Sequence, residues 1–106
     1  MLLEKPVFKM YVKDGCSYCD EARKIILSEL KTSLHLINVT SQPDLHKLVI
    51  KDTGIKTVPV ILIGKELIGG CDDLKEQRES GVIEKKILLE ENDILKNEIL
   101  KLRRSL

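Results

Sequence analysis

An α/β fold is what this sequence predicts, with a mixed four-stranded sheet flanked by helices and an extended C-terminal helix. Three observations lead there. Short alternating segments interleave with longer segments of helical spacing, in the order β-α-β-α-β-β-α-α. The opening β-α-β unit implies a right-handed crossover and a parallel first pair. The run "VPVILIG" at 58–64 is almost continuously apolar, as in a buried central strand.

"VFKMYV" (7–12) alternates Val7, Lys9 and Tyr11 with Phe8, Met10 and Val12, and reads as the first strand. "DG" (14–15) breaks it. From Ser17 to about Lys31 the apolar residues Ala22, Ile25, Ile26, Leu27 and Leu30 recur at helical spacing with no Gly or Pro between them. "LHLINV" (34–39) alternates again as the second strand. "TSQPDLHKLVIKDTG" (40–54) carries helix signals: Ser41 or Gln42 leads in, Pro43 and Asp44 suit the first turn, and Gly54 suits the stop. The apolar run 58–64 follows, and "KELIG" (65–69) returns as a short antiparallel partner. "CDDLKEQRES" (71–80) is a short helix stopped by Gly81, and a last helix runs from about Val82 to the C-terminus. This layout is compatible with a thioredoxin-like fold.

The 106 residues suit one small domain with one core, and 42% apolar content fits a globular chain. Charge is nearly balanced, 18 Lys and Arg against 17 Asp and Glu, so no global attraction to nucleic acid or an anionic membrane is expected. No apolar run approaches the ~20 residues of a membrane span, and no basic stretch leads into a long apolar one, so no secretory leader is expected. Three cysteines is an odd count for a secreted disulfide scaffold; it suits a reducing compartment, and the expected location is cytoplasmic.

Cys16 and Cys19, in "VKDGCSYCDEARKIIL" (12–27), lie between the first strand and the first helix. A thiol at a helix N-terminus faces unpaired backbone N–H groups and the positive end of the dipole, both of which favour thiolate. Lys13 adds a nearby positive charge. Cys16, nearer the helix start, is the expected nucleophile, and Cys19 can attack a mixed disulfide at Cys16 and close an intramolecular bridge. A zinc site is the competing reading of a CxxC, but structural zinc wants four ligands. Cys71, His35 and His46 are the other soft candidates, none paired at ligand spacing. A purely structural disulfide is disfavoured too, because so short a loop removes little unfolded-state entropy.

Three separated motifs coincide: "CSYC" (16–19) after Lys13, "TVP" (57–59) opening the buried strand, and "GGCDDL" (69–74) opening a helix. Together they resemble glutaredoxins, the glutathione-dependent oxidoreductases of the thioredoxin-like fold. The resemblance divides the chain into a glutaredoxin-like domain, 1–84, and a helical extension, 85–106. It implies that Cys16 attacks the glutathione sulfur of a glutathionylated substrate and that Cys19 resolves the intermediate in a dithiol route. It implies a cis Pro59, with the Val58 N–H and C=O pairing with the glutathione cysteine as an added strand. Thr57 belongs to the same motif. Gly70, Cys71 and Asp72 would take the other end of glutathione through helix-start N–H groups and the Asp72 carboxylate. Lys13 and Lys56 would meet the glycine carboxylate, and Tyr18 would flank the thiol pair. Cys71 reads as a near-site residue acting through its backbone. Ser17 is a departure, since many dithiol glutaredoxins have Pro there. Some family members with Ser at this place hold a [2Fe–2S] cluster between two subunits, on the first cysteine of each and two glutathiones. Cluster binding is therefore the second hypothesis.

In "EKKILLEENDILKNEILKLRRSL" (84–106), Leu88, Leu95 and Leu102 are seven apart. With these as d, the a positions are Lys85, Asn92, Ile99 and Leu106. Glu91 and Glu98 fall at g, with Lys96 and Arg103 at the following e. That is the pattern of a parallel two-stranded coiled coil, and so of a homodimer. The repeat is short, and Ile87 and Ile94 fall at c, so an extended final helix packed on the domain is the alternative reading. A third has the tail docking a partner protein, with the chain as an adaptor.

Overall fold

The computed structural model describes residues 5–105. The sheet is built outward from β1 (Phe8–Val12). β2 (Leu34–Asn38) lies parallel to it on one side, in register from Phe8 opposite Leu34 to Val12 opposite Asn38. β3 (Val60–Ile63) lies antiparallel on the other side, Phe8 facing Ile63 and Tyr11 facing Val60. β4 (Glu66–Gly69) pairs antiparallel with β3, with an irregularity at Ile61/Leu62, and completes the order β2-β1-β3-β4. The expected element order and the parallel and antiparallel pairs are all present.

The apolar positions explain the layering. Phe8 and Met10 of β1 and Val60, Ile61 and Ile63 of β3 are buried. Ala22 of α1 (Ser17–Lys24), Leu74 of α3 (Cys71–Ser80), and Ile83, Ile87 and Ile94 of α4 (Val82–Ser105) join the same core cluster as Phe8, Met10, Ile61 and Ile63. Full burial of a side chain of this size is worth about 1.5–3 kcal/mol, so this cluster is the main favourable term. α2 (Pro43–Thr53) contributes Val49, buried apart from that cluster.

The helix ends follow their local signals. Pro43 opens α2, and Gly54 and Gly81 end α2 and α3 at φ +75° and +82°, backbone that glycine adopts without penalty. The first helix departs from expectation. Its α-helical part stops at Lys24, and Ile25–Glu29 continue as a π-helical turn, with the Leu30 N–H bonded to the Ile25 carbonyl at 2.8 Å. Ile25 and Ile26 are both sunk in the core, and the wider turn carries them there. The apolar run 58–64 is a strand only from Val60, because Val58–Pro59 is a cis peptide bond outside the ladder.

α4 is continuous through residue 84, the expected domain boundary. Its first half is part of the domain: Ile83, Ile87 and Ile94 are buried. The Lys86 ammonium reaches Gln77 Oε1 of α3 at 2.7 Å and Glu66 of β4 at 3.3 Å. Leu106, the last expected a position, lies outside the described residues. Among those described, no helix is long and apolar enough to cross a membrane.

Candidate active site

The site lies where β1 turns into α1, β3 begins and β4 gives way to α3. The turn after β1 is pinned to the end of β2. The Asp14 N–H donates to Thr40 Oγ1 at 2.8 Å, Asn38 Nδ2 donates to Asp14 Oδ1 at 2.7 Å, and the Thr40 N–H donates to Asn38 Oδ1 at 2.9 Å. These three side chains hold the loop that delivers Cys16. Sequence reading missed them, because the two bonds that reach Asp14 span 24 and 26 residues and leave no local pattern.

Cys16 is the N-cap of α1, in extended backbone, and its sulfur accepts the Cys19 N–H at 3.1 Å. One of the orphan donors of the first helical turn is thus spent on the sulfur. Cys16 and Cys19 are bridged, with Cα atoms 5.2 Å apart. Cys16 is half-buried while Cys19 is only 4% exposed, so the outer of the two sulfurs belongs to Cys16. Its Sγ also lies 3.8 Å from the Val58 carbonyl oxygen.

Beside the pair an open groove of about 510 Å³ runs between the loop before β3 and the start of α3. Tyr18, Thr57, Val58 and Pro59 form one part of its wall, and Gly70, Cys71 and Asp72 another. All seven are residues singled out from the sequence. Ile55 and Asp73 line it as well. Neither was singled out from the sequence. Lys13 and Lys56 do not line this groove. Lys13 borders a second one, about 330 Å³, with Gly15, Cys16, Cys19 and Arg23. Lys56 is exposed next to Thr57.

The start of α3 is built for close approach. Gly70 is its N-cap and has no side chain to satisfy the first-turn donors. Asp73 reaches back instead, its Oδ2 accepting the Gly70 N–H at 2.9 Å. A Cβ on Gly69, at φ +122°, would fall on that carboxylate, so glycine there keeps the cap intact. Cys71 is 4% exposed, and burial pushes its thiol up, with the Glu21 carboxylate adding to the effect. Glu21 is held below the usual carboxylate range by its bond to Lys75, and Lys75 is raised in turn.

His35 is exposed on β2 and His46 is half-buried on α2. Among the described residues, no group of three or more His, Cys, Asp or Glu side chains converges on a point that could hold a metal ion.

The glutaredoxin family model matches residues 8–68. Human glutaredoxin-1 is 38% identical over 80 residues, covering 68% of this chain and 73% of its own. The chain belongs to the glutaredoxin family. Glutaredoxin 3 of Escherichia coli strain K12 is 38% identical over 66 residues, covering 62% of this chain and 78% of its own. Two solved glutaredoxins superpose at 25% identity. The holo form of glutaredoxin C1 from Populus tremula x tremuloides gives a TM-score of 0.71 over 80% of this chain and 86% of that one. The buckwheat glutaredoxin–glutathione complex gives 0.68 over 84% and 79%. A glutaredoxin with a half-exposed cysteine bridged to a buried one at a helix start has the equipment of a thiol-disulfide oxidoreductase. The fold is the thioredoxin-like one expected, with the extended last helix added.

Proposed function

We propose that this chain is a glutathione-dependent oxidoreductase that reduces protein–glutathione mixed disulfides and disulfides through Cys16. The observation that carries the reading is the place of the Cys16 sulfur: at the head of α1 and 3.8 Å from the carbonyl of Val58, a residue that lines the groove. The buckwheat relative, solved as a glutathione complex, supports glutathione as the groove's ligand.

In the reduced protein, the Cys16 thiolate attacks the glutathione sulfur of a mixed disulfide. A bond forms between the two sulfurs, the old disulfide breaks, and the substrate protein leaves as its thiolate. A second glutathione thiolate then attacks the bound glutathione sulfur and releases Cys16 and glutathione disulfide. In the dithiol route, Cys19 attacks Cys16 instead, expels glutathione and closes the bridge. The helix-start N–H groups stabilise the thiolate both as attacking and as leaving group.

The groove suits an extended tripeptide. Backbone at Val58 can pair with it as an added strand. The N–H groups of Cys71 and Asp72 suit a carboxylate at the start of α3, and the Asp72 side chain suits an ammonium. Gly70 faces the Pro59 carbonyl across the groove, where an added Cβ would stand 3.7 Å from that oxygen, in ordinary contact. Tyr18, 60% exposed, flanks the thiols. Lys13 and Lys56, long and exposed, are the cations assigned to the glycine carboxylate. The protein partners are glutathionylated or disulfide-containing chains, and the odd cysteine count fits work in the reducing cytoplasm.

The test is glutathione-dependent reduction of a small glutathione mixed disulfide by the parent, Cys16→Ser and Cys19→Ser. Activity lost with Cys16→Ser and retained in part with Cys19→Ser is the expected result. A folded but inactive parent would sink it. Iron and sulfide retained after anaerobic purification of that inactive parent would move the assignment to the [2Fe–2S] reading, which rests on Ser17.

A further inference from the structure

α4 carries two apolar faces, and only one of them is used by its own domain. Ile83, Ile87 and Ile94 point into the core. A final helix that only docks on a domain is polar on its outer side. Here Leu88, Ile99 and Leu102 are 63%, 49% and 68% exposed, and Leu95 between them is half-buried. At about 100° per residue, this leucine stripe is turned by about a third of a turn from the isoleucine face. The isoleucines at c and the leucines at d therefore do not compete. Self-association and packing on the domain are compatible in one helix.

We propose that the stripe is a homodimer seam, in which a second copy of this chain lays its α4 in parallel along Leu88, Asn92, Leu95, Ile99 and Leu102. The charges choose the occupant and the direction. In a parallel pair, Glu91 of one copy meets Lys96 of the other, and Glu98 meets Arg103, so both of these flanking pairs are of opposite sign. An antiparallel pair would bring Glu toward Glu and Lys toward Arg. Asn92, exposed at an a position, satisfies its amide only against a matching Asn and so fixes register and two strands. The helix also runs on from Ile94, its last buried residue, to Ser105, about 16 Å of helix at 1.5 Å per residue. No described residue of these last three turns is fully buried, and such a stretch gains from a second helix. The domains, each on the isoleucine side, splay away from the shared seam.

Leu88 to Leu102 is two heptads. A seam this short buries less than the ~1,200 Å² of a standard stable interface, so the dimer dissociates on dilution. This inference stands apart from the reading of the cysteine site.

The test is sedimentation equilibrium of the full-length chain from about 5 µM to about 1 mM, where mass action reveals a weak dimer. The parent should move from the 12.1 kDa chain mass toward twice that value. Ile99→Lys with Leu102→Lys, both exposed positions, should stay monomeric with unchanged thermal unfolding of the domain. Two charge variants then test the direction: Glu91→Lys with Glu98→Lys, and Lys96→Glu with Arg103→Glu. Each alone should be monomeric, and an equimolar mixture should restore the dimer, which an unfolded or damaged tail could not do. A parent that stays monomeric throughout overturns the proposal, as would one that instead binds lipid vesicles as a monomer. A dimer that survives Ile99→Lys with Leu102→Lys, or a mixture that fails to associate, overturns it equally.

Discussion

Two helices of this protein carry a cysteine at their start, Cys16 capping α1 and Cys71 opening α3, and the chemistry of the two is opposite. At α1, Cys16 is the N-cap, half-buried, and its sulfur accepts the Cys19 N–H. At α3, Cys71 comes one residue later, after Gly70, and is 4% exposed. There the capping is done by Asp73, so the helix start makes no use of the sulfur. The Cys71 thiol is raised by burial and by Glu21. A helix N-terminus therefore does not by itself make a reactive thiol. The sulfur must stand at the cap, where it meets the orphan N–H groups, and must keep access to solvent.

The largest expected effect is on Cys16. Cys16→Ser should lower turnover of a glutathione mixed disulfide by about 10³-fold or more. In the reduced parent, a neutral-pH alkylating agent followed by peptide mass analysis should find Cys16 modified and Cys71 protected until the chain is unfolded. Equal labelling of the two would erase the contrast.

A smaller effect is expected from the cap that frees Cys71 of that duty. Asp73→Ala should cost about 1 kcal/mol in urea unfolding and should raise KM for glutathione more than it lowers kcat. Unchanged stability would mean that the 2.9 Å bond to Gly70 contributes nothing.

The smallest effect sharpens the electrostatic half of the comparison. Because Cys71 is raised, its native-state advantage is present at neutral pH, below the ordinary thiol range, and is lost as pH rises through the folded value. Lys75, raised by Glu21, loses its contribution in the same direction. Stability of the reduced protein should thus fall on the alkaline side, and Glu21→Gln should make that fall shallower. Urea midpoints at neutral and alkaline pH for the two proteins decide it. A steeper fall would mean that Glu21 does not act on Cys71 as its position implies.

Much of this was legible in advance because its causes are local. Pro43, Gly54 and Gly81 mark helix ends by what their own backbones allow. Alternation in 7–12 and the apolar run before Gly64 mark strands by which faces are buried. Seven of the groove-lining residues were readable from three motifs. Other features have no local cause. The π-helical turn at Ile25–Glu29 depends on where the core needs Ile25 and Ile26. The bonds among Asp14, Asn38 and Thr40 join two strand ends that only the parallel register brings together. Lys13 borders a groove with Cys16 and Cys19, a placement set by what anchors the turn.

The sequence by itself determined the order of elements, the cysteine pair at a helix start and the seven-residue leucine spacing of the tail. Each follows from chain-local chemistry: side-chain period, backbone freedom, and the donors of a first helical turn. Tertiary structure alone decided which of three cysteines stays accessible and which face of α4 the domain uses. Those outcomes depend on burial, which is a property of what packs against a residue and not of the residue or its neighbours in the chain.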